Sequence, residues 1–579
     1  MKTNPSRRKF IAQLIAATLG LFSVAAQSAA HKTTTKSSQN LRKTNKVANE
    51  NATKQSAAKQ SAAKQNSAAI SNKTPLANAT NLPATSQMAG ARLGINLAGI
   101  FDWNAELPFV DMFKMSRDWI SQTNEGGWGS GAALEIDAHG WVKRLPANGY
   151  ATTFVCSHDG GNHYPSGNYV ILYDGEGEIN VPYHTIKSAI AGKMIVNVDA
   201  SKSAFRLDVT KTNPQNYIKN IRVIMPGFEK TYQDNPWHPD FLKRWSGIAC
   251  IRYMDFMATN SSAQTRWDNR PQATDMTFAN KGVSLELMID LANRLNADPW
   301  FCMPHLADDD YIKQFASFVK ANLHPNLRAW VEYSNEVWNG AFAQNAYASK
   351  QGQRLKFAEQ PWEAAWKYNA YRSVQIFNIW QQVFGSTQRF VRVLASQAGN
   401  SGVAEQILSF QNAAKQADVL AIAPYFNFSV PPSAEDGITD KVVAAWSLDK
   451  LFAYLNKKSL LESSQWITDN KKIADRYTLK LVAYEAGQHL VGVTGAENNE
   501  QLTSLFLNAN ADARMGDLYE KHLVAWAEHD GDLTCMFNSV SPWSKWGSWG
   551  LQQYYNDKPP PKFKAVIDWA ISRGQKMRL

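Results

Sequence analysis

WVEYSNEVWN at 330–339 and KLVAYEAGQHL at 480–490 have the same form, and that form decides the fold. In the first, Ala329 to Tyr333 is β-branched and aromatic, and polar Ser334, Asn335 and Glu336 follow where a buried strand opens into a loop. In the second, Leu479 to Tyr484 is the apolar run and Glu485 the polar residue that ends it. A strand that is apolar along its whole length is buried on both faces, as in a parallel sheet covered by helices. The polar residues of such a fold gather at the C-terminal ends of its strands.

Working outward, the same pattern recurs in RLGINL (92–97), GIACIRYM (247–254), DPWFCMP (298–304), LRAWVEY (327–333), RFVRVLA (389–395), VLAIAPY (419–425), LKLVAYE (479–485) and LTCMFNSV (533–540). Amphipathic helix patterns separate most of them, at 283–296, 310–323, 360–384, 403–416, 502–529 and 563–574. Eight strands alternating with helices predict an α/β chain folded as a (β/α)8 TIM barrel over 91–579. One stretch breaks the rhythm. Residues 146–227 alternate apolar and polar positions between Gly, Asn and Pro punctuation, which predicts a small antiparallel β-subdomain inserted between strands one and two. It either binds sugar or walls the cleft.

The chain has 579 residues, 44% of them hydrophobic, with 26 Phe, 20 Trp and 20 Tyr, enough for a large core. Its net charge of +11 suggests a polyanionic partner until it is divided along the chain. Residues 1–90 hold 13 of the 61 basic residues and one of the 50 acidic ones, so the remainder is close to neutral and no nucleic-acid partner is expected. Residues 1–30 combine a basic start, an apolar stretch from Phe10 to Ala26 and a small-residue end, the form of an export signal. Arg7-Arg8 within it is similar to a twin-arginine motif, with an ordinary secretory signal as the alternative. Residues 31–90 are polar and repetitive (KQSAAKQSAAKQNSAA) and are expected to be a disordered low-complexity linker. The expected protein is exported, periplasmic or secreted, without a membrane span, and monomeric. Cys156, Cys250, Cys302 and Cys535 form no metal-type cluster and are read as buried thiols or one disulfide.

Hydrolysing a glycosidic bond with retention needs one carboxyl to protonate the leaving oxygen and another to attack the anomeric carbon, about 5–5.5 Å away. Glu336 and Glu485, each ending a barrel strand, are the candidate catalytic pair. Glu332 shares strand parity with Glu336 and is read as an internal ion pair. Asp308, Asp309 and Asp310 are read as a helix cap and not as a metal site. No phosphate-cradling glycine motif, His-Glu-x-x-His or serine elbow is present, and no metal or cofactor is expected. In SPWSKWGSWGLQ, one of Trp543, Trp546 and Trp549 is expected to floor the cleft under a pyranose ring, Trp543 or Trp546 before Trp549, with rim packing as the alternative. Trp338 is a second candidate platform. His305, after strand three, touches substrate or is structural.

Asn335-Glu336 after strand four, with Glu485 after strand seven, resembles the acid/base and nucleophile of the clan A glycoside hydrolases, retaining β-glycosidases on a (β/α)8 barrel. The wording GINLAGIFDWNAELPFVDMFKMSRDWI with VEYSNEVWN is also similar to bacterial exported proteins labelled cellulose-binding. The clan resemblance implies Glu336 as acid/base, Glu485 as nucleophile and Asn335 at the sugar 2-hydroxyl. It further implies Tyr425 as a donor to the nucleophile and Arg252 as the cation that keeps it ionised. The chain departs from the pattern at Ala423, where the clan often has a histidine. The resulting expectation is a retaining, endo-acting hydrolase of a β-linked polysaccharide, a β-glucan or a bacterial exopolysaccharide. The alternatives are a non-catalytic carbohydrate-binding envelope protein on the same barrel, or a polysaccharide lyase.

Overall fold

The computed structural model describes residues 90–158, 161–432 and 437–578. The export signal and nearly all of the linker expected over 31–90 lie outside the described residues. Eight parallel strands close into a barrel in chain order: Arg92–Asn96, Cys250–Arg252, Asp298–Met303, Ala329–Tyr333, Phe390–Ala395, Val419–Ile422, Lys480–Ala483 and Leu533–Met536. They are called the first to eighth strands below. Each falls inside a run whose sequence reads as a buried strand. The interior is filled by alternate residues, among them Trp300, Cys302, Trp330, Val393, Ala421, Val482, Tyr484 and Cys535, while the residues between them pack on the helices. Gly94 on the first strand pairs with Cys250 on one side and Cys535 on the other. A Cβ at Gly94 would lie 2.6 Å from the Cys535 sulfur and 3.1 Å from the Cys250 carbonyl oxygen, so these two residues fill the space that a side chain there would need. All four cysteines are buried and free.

The six expected helices form, two of them altered, and others the sequence reading did not expect join them, among them Ala343–Arg354 and Leu460–Arg476. The expected helix over 403–416 stops at Ser409, because Gln411 and Asn412 take left-handed backbone with φ of 47° and 58°. The expected helix over 502–529 is two helices, Glu500–Ala511 and Ala513–Glu528. Asp512 leaves the helical region between them and accepts the Arg514 N–H as the cap of the second. Asp308 caps Asp309–Asn322 by accepting the Tyr311 N–H. Among the described residues no helix is long and apolar enough to cross a membrane.

Between the first and second strands lie two four-stranded antiparallel sheets. One orders Ile120–Thr123, Gly149–Cys156, Phe205–Thr212 and Gly177–Asn180; the other orders Lys219–Ile224, Gly167–Asp174, Lys193–Val198 and Thr185–Ile190. They meet through Tyr169 of the second sheet, edge-on to Phe205 of the first at 5.2 Å. This β-structure begins at Ile120, ahead of the expected 146. Ile120–Thr123 is short and its apolar alternation too brief to read as a strand by itself.

A further pair of short parallel strands, Phe426–Val430 and Gln488–Gly492, rises beyond the ends of the sixth and seventh strands, with Phe426 opposite Gln488. It clamps the chain just after Tyr425 to the chain just after Glu485.

Candidate active site

Four side chains from the C-terminal ends of the first, fourth and seventh strands converge on Arg252, the last residue of the second strand, which is 0% exposed. Its guanidinium uses all of its edges. Nε and Nη2 grip Glu332 at 3.1 and 2.9 Å, and Nη1 donates to Glu485 Oε1 at 2.8 Å. Nη2 also reaches Asn335 Oδ1 at 2.8 Å, and Nη1 reaches Asn96 Oδ1 at 3.1 Å. Trp300 donates its indole N–H to Glu332 at 2.9 Å. Glu332 is thus the internal ion pair that its strand parity predicts. A planar five-donor fork suits this geometry, where a lysine would satisfy only part of it.

Glu485, 3% exposed, accepts a second hydrogen bond from the Tyr425 phenol, 3.0 Å to Oε2. The parallel ribbon holds the two residues together. Burial and the neighbouring carboxylate push the Tyr425 phenol far above its ordinary range, so it stays a donor.

Glu336, 4% exposed, lies three residues past the fourth strand. Strand parity fails here because Ser334 and Glu336 both take left-handed φ, 57° and 44°. Non-glycine residues avoid that conformation unless the surroundings impose it. The turn is closed by Asn339, whose N–H meets the Glu336 carbonyl and whose amide donates to Oε2, both at 2.8 Å. Tyr484 donates to Oε1 at 3.0 Å. Burial first and the charge on Glu485 second raise the Glu336 carboxyl to about 8, so it is protonated at neutral pH. One buried carboxyl therefore carries a proton while the other is held by a guanidinium and a phenol. A further carboxyl at this mouth, Asp255, is partly exposed, raised to about 7 by burial and then by Glu485, and its side chain has no hydrogen-bond partner among the described residues.

Asn335 has its amide oxygen on Arg252 and one N–H on Asn260 at 3.1 Å, which leaves one N–H to donate. Gln344 fixes this corner by donating to Asn260 and to the Asn335 carbonyl, both at 2.8 Å. His305 is buried against Tyr347, 5.5 Å between rings, and burial lowers it to about 4, which leaves it neutral. Trp338 is half-buried, and its indole N–H, like His305 Nδ1, has no partner among the described residues.

The tryptophan loop after the eighth strand gives its three rings different neighbours. Trp543 donates to the Gly550 carbonyl at 2.9 Å and stacks on the Lys562 ammonium at 4.3 Å, while Trp546 lies against Lys545. Trp549 is the one whose ring lies beside the tyrosine that binds Glu485, 6.4 Å from the Tyr425 ring and 4.8 Å from His489, which burial lowers to about 4. Sequence reasoning passed over Tyr484, Asn96 and Asn339. Tyr484 and Asn339 each carry a signal in hindsight: one adjoins Glu485, and the other lies one turn past Glu336, before Gly340.

No family model matches the chain, and no curated protein matches it in sequence. Solved structures with a similar course of chain include a broad-specificity endoglucanase from Clostridium acetobutylicum, 10% identical over 57% of this chain and 90% of that one, TM-score 0.32. A fungal β-1,4-galactanase is 10% identical over 58% and 92%, TM-score 0.31. A modular endo-β-1,4-mannanase from Cellulomonas fimi is 11% identical over 55% and 62%, TM-score 0.30. Likeness at this level carries no reading of the activity, which has to come from the site.

Proposed function

We propose that the chain is an exported retaining glycoside hydrolase that cleaves a β-linked polysaccharide from within. The observation that carries this reading is the opposite setting of two buried carboxyls at one barrel mouth: Glu336 raised to about 8, and Glu485 held by Arg252 and Tyr425. That division is what double displacement requires. Glu485 attacks the anomeric carbon as Glu336 passes its proton to the departing glycosidic oxygen, giving a glycosyl ester on Glu485. Glu336, now a carboxylate, takes a proton from water, which attacks the same carbon and releases Glu485. The free N–H of Asn335 is available to a sugar hydroxyl beside the nucleophile.

The test is reducing-sugar release over a panel of β-glucans, mannans, galactans and exopolysaccharides, with proton NMR of the first product formed. Release of the β-anomer from at least one polymer is expected. No release across the panel removes the hydrolase reading, and an α-anomer replaces retention with inversion.

A further inference from the structure

The outward face of the sheet containing Ile120–Thr123 is the wrong kind of surface for a mere wall. Partners directly opposite in antiparallel register share a face. On the inner face lie Ala151, Leu207, Val209 and Ile179, buried in the core. The outer face should then be polar. Instead register sets Tyr150 opposite Gln122, and Phe154 opposite Arg206, with both rings only half-buried. Trp128, 57% exposed, lies beside them, 5.9 Å from Phe154. The loop that bears it is fastened down: Gln122 accepts the Gly129 N–H at 2.9 Å, and the Gly131 N–H reaches the Ser121 carbonyl. Arg206 lies over both Trp128 and Tyr150, at 5.2 and 5.9 Å.

The rings continue to the barrel mouth. Arg117 covers Phe154 at 4.7 Å and donates to Asp102 at 2.8 Å. Asp102 sits in the loop leaving the first strand, between Phe101 and Trp103, whose rings stack at 4.7 Å. Both arginines are already neutralised, Arg206 by a two-point pair with Asp208 at 2.8 Å and Arg117 by Asp102. The strip therefore offers flat rings edged by fixed hydrogen-bonding groups, with no spare positive charge for a uronate or sulfate. Pyranose C–H faces fit such rings, and hydroxyls fit their edges. From Tyr150 to Phe154 alone the strand runs about 13 Å, longer than one sugar ring.

We infer that Trp128, Tyr150 and Phe154 on the inserted sheet form a binding track for a neutral β-glycan chain, continuous with the barrel mouth. The track deepens the polysaccharide reading of that mouth and rests on it for the identity of the chain.

The experiment is affinity electrophoresis of the full chain in gels carrying barley β-glucan, xyloglucan, glucomannan or galactan, with polygalacturonate as the acidic control. It is run on the Glu336→Gln background and on the same background with Trp128→Ala or Tyr150→Ala, each checked for an unchanged melting temperature. Retardation by at least one neutral glycan, with a Kd raised about tenfold by Trp128→Ala and also raised by Tyr150→Ala, is the expected result. Retardation that neither alanine changes, retardation by polygalacturonate alone, or none in any gel overturns the track. Hydrolysis is read separately on the wild type. Ring-dependent binding without hydrolysis would keep the track and remove the hydrolase, whereas hydrolysis with ring-independent binding would do the reverse.

Discussion

Tyr484 and Glu336 are joined by a 3.0 Å hydrogen bond from phenol to carboxyl, while the next residue in the chain, Glu485, is bound to Arg252. Adjacent residues at the end of the seventh strand thus serve the two carboxyls separately. Arg252 lies over the Tyr484 ring at 4.9 Å, so one guanidinium orders both. The Tyr484 hydrogen bond favours the ionised form of Glu336 and works against burial and the charge on Glu485.

The pH profile follows from that balance. Glu336 must be protonated to act as an acid, so kcat/KM should fall as pH rises through about 8. Tyr484→Phe removes a group that lowers the carboxyl and should move this limb upward. Asp255→Asn removes the other neutral-range carboxyl at the mouth and should leave a limb near 8 in place. A limb that follows Asp255, or ignores Tyr484, would take the acid role away from Glu336. The same shift fixes the sign for stability: Glu336 is raised in the folded state, so its contribution is fully present below the ordinary carboxyl range and is lost as pH rises towards about 8.

Glu336→Gln and Glu485→Gln should each lower turnover by a factor on the order of 10³ while leaving polysaccharide binding measurable. Azide should restore Glu485→Gly by supplying the missing nucleophile, with an α-glycosyl azide, inverted from the β-linked substrate, as product. Near-normal turnover in either Gln variant would disprove the pair. Glu485→Gln carries a second readout, since Glu336 loses the charge that helps raise it and should titrate below 8 by carboxyl-labelled carbon NMR.

The barrel strands were legible because burial on both faces leaves an uninterrupted apolar run, and Glu336 and Glu485 were legible because each ends one. Asn96 was not, since GINL reads only as the end of a strand; it is the closed barrel that lets it bridge Arg252 to the Tyr484 carbonyl at 2.8 Å. The Phe426–Val430 ribbon was also hidden, because parallel partners 62 residues apart, Phe426 and Gln488, leave no local pairing signal. Left-handed φ at Ser334 and Glu336 breaks the strand's alternation just where it matters, so periodicity placed Glu336 at the strand end but not its direction.

Arg252→Met should be the most destabilising single change in the site. It would leave Glu332 and Glu485, at 1% and 3% exposure, without their shared cation, at a cost of about 3–5 kcal/mol. Arg252→Lys should recover only part of this, because one ammonium cannot hold Glu332 at two points and still reach Glu485, Asn335 and Asn96. Urea denaturation of the three proteins checks the order. Equal stability of the Met variant and the wild type would mean that the cluster relaxes or takes up protons at no cost.

Trp549 and Trp543 should separate cleanly although six residues apart. Trp549 lines the site beside Tyr425 and His489, so Trp549→Ala should cut kcat/KM by about tenfold or more through lost ring contact and a looser Tyr425. Trp543 is tied to Gly550 and roofs the buried Lys562 ammonium, which also holds Asn510 and the Ser548 carbonyl. Trp543→Ala should therefore lower the melting temperature by several degrees, of the order expected for a loss of about 1–2 kcal/mol, with KM of the folded protein near wild type. Steady-state kinetics and thermal melts on both variants decide between them. A large KM effect at Trp543 with an unchanged melt would return the sugar platform to the position expected from the sequence.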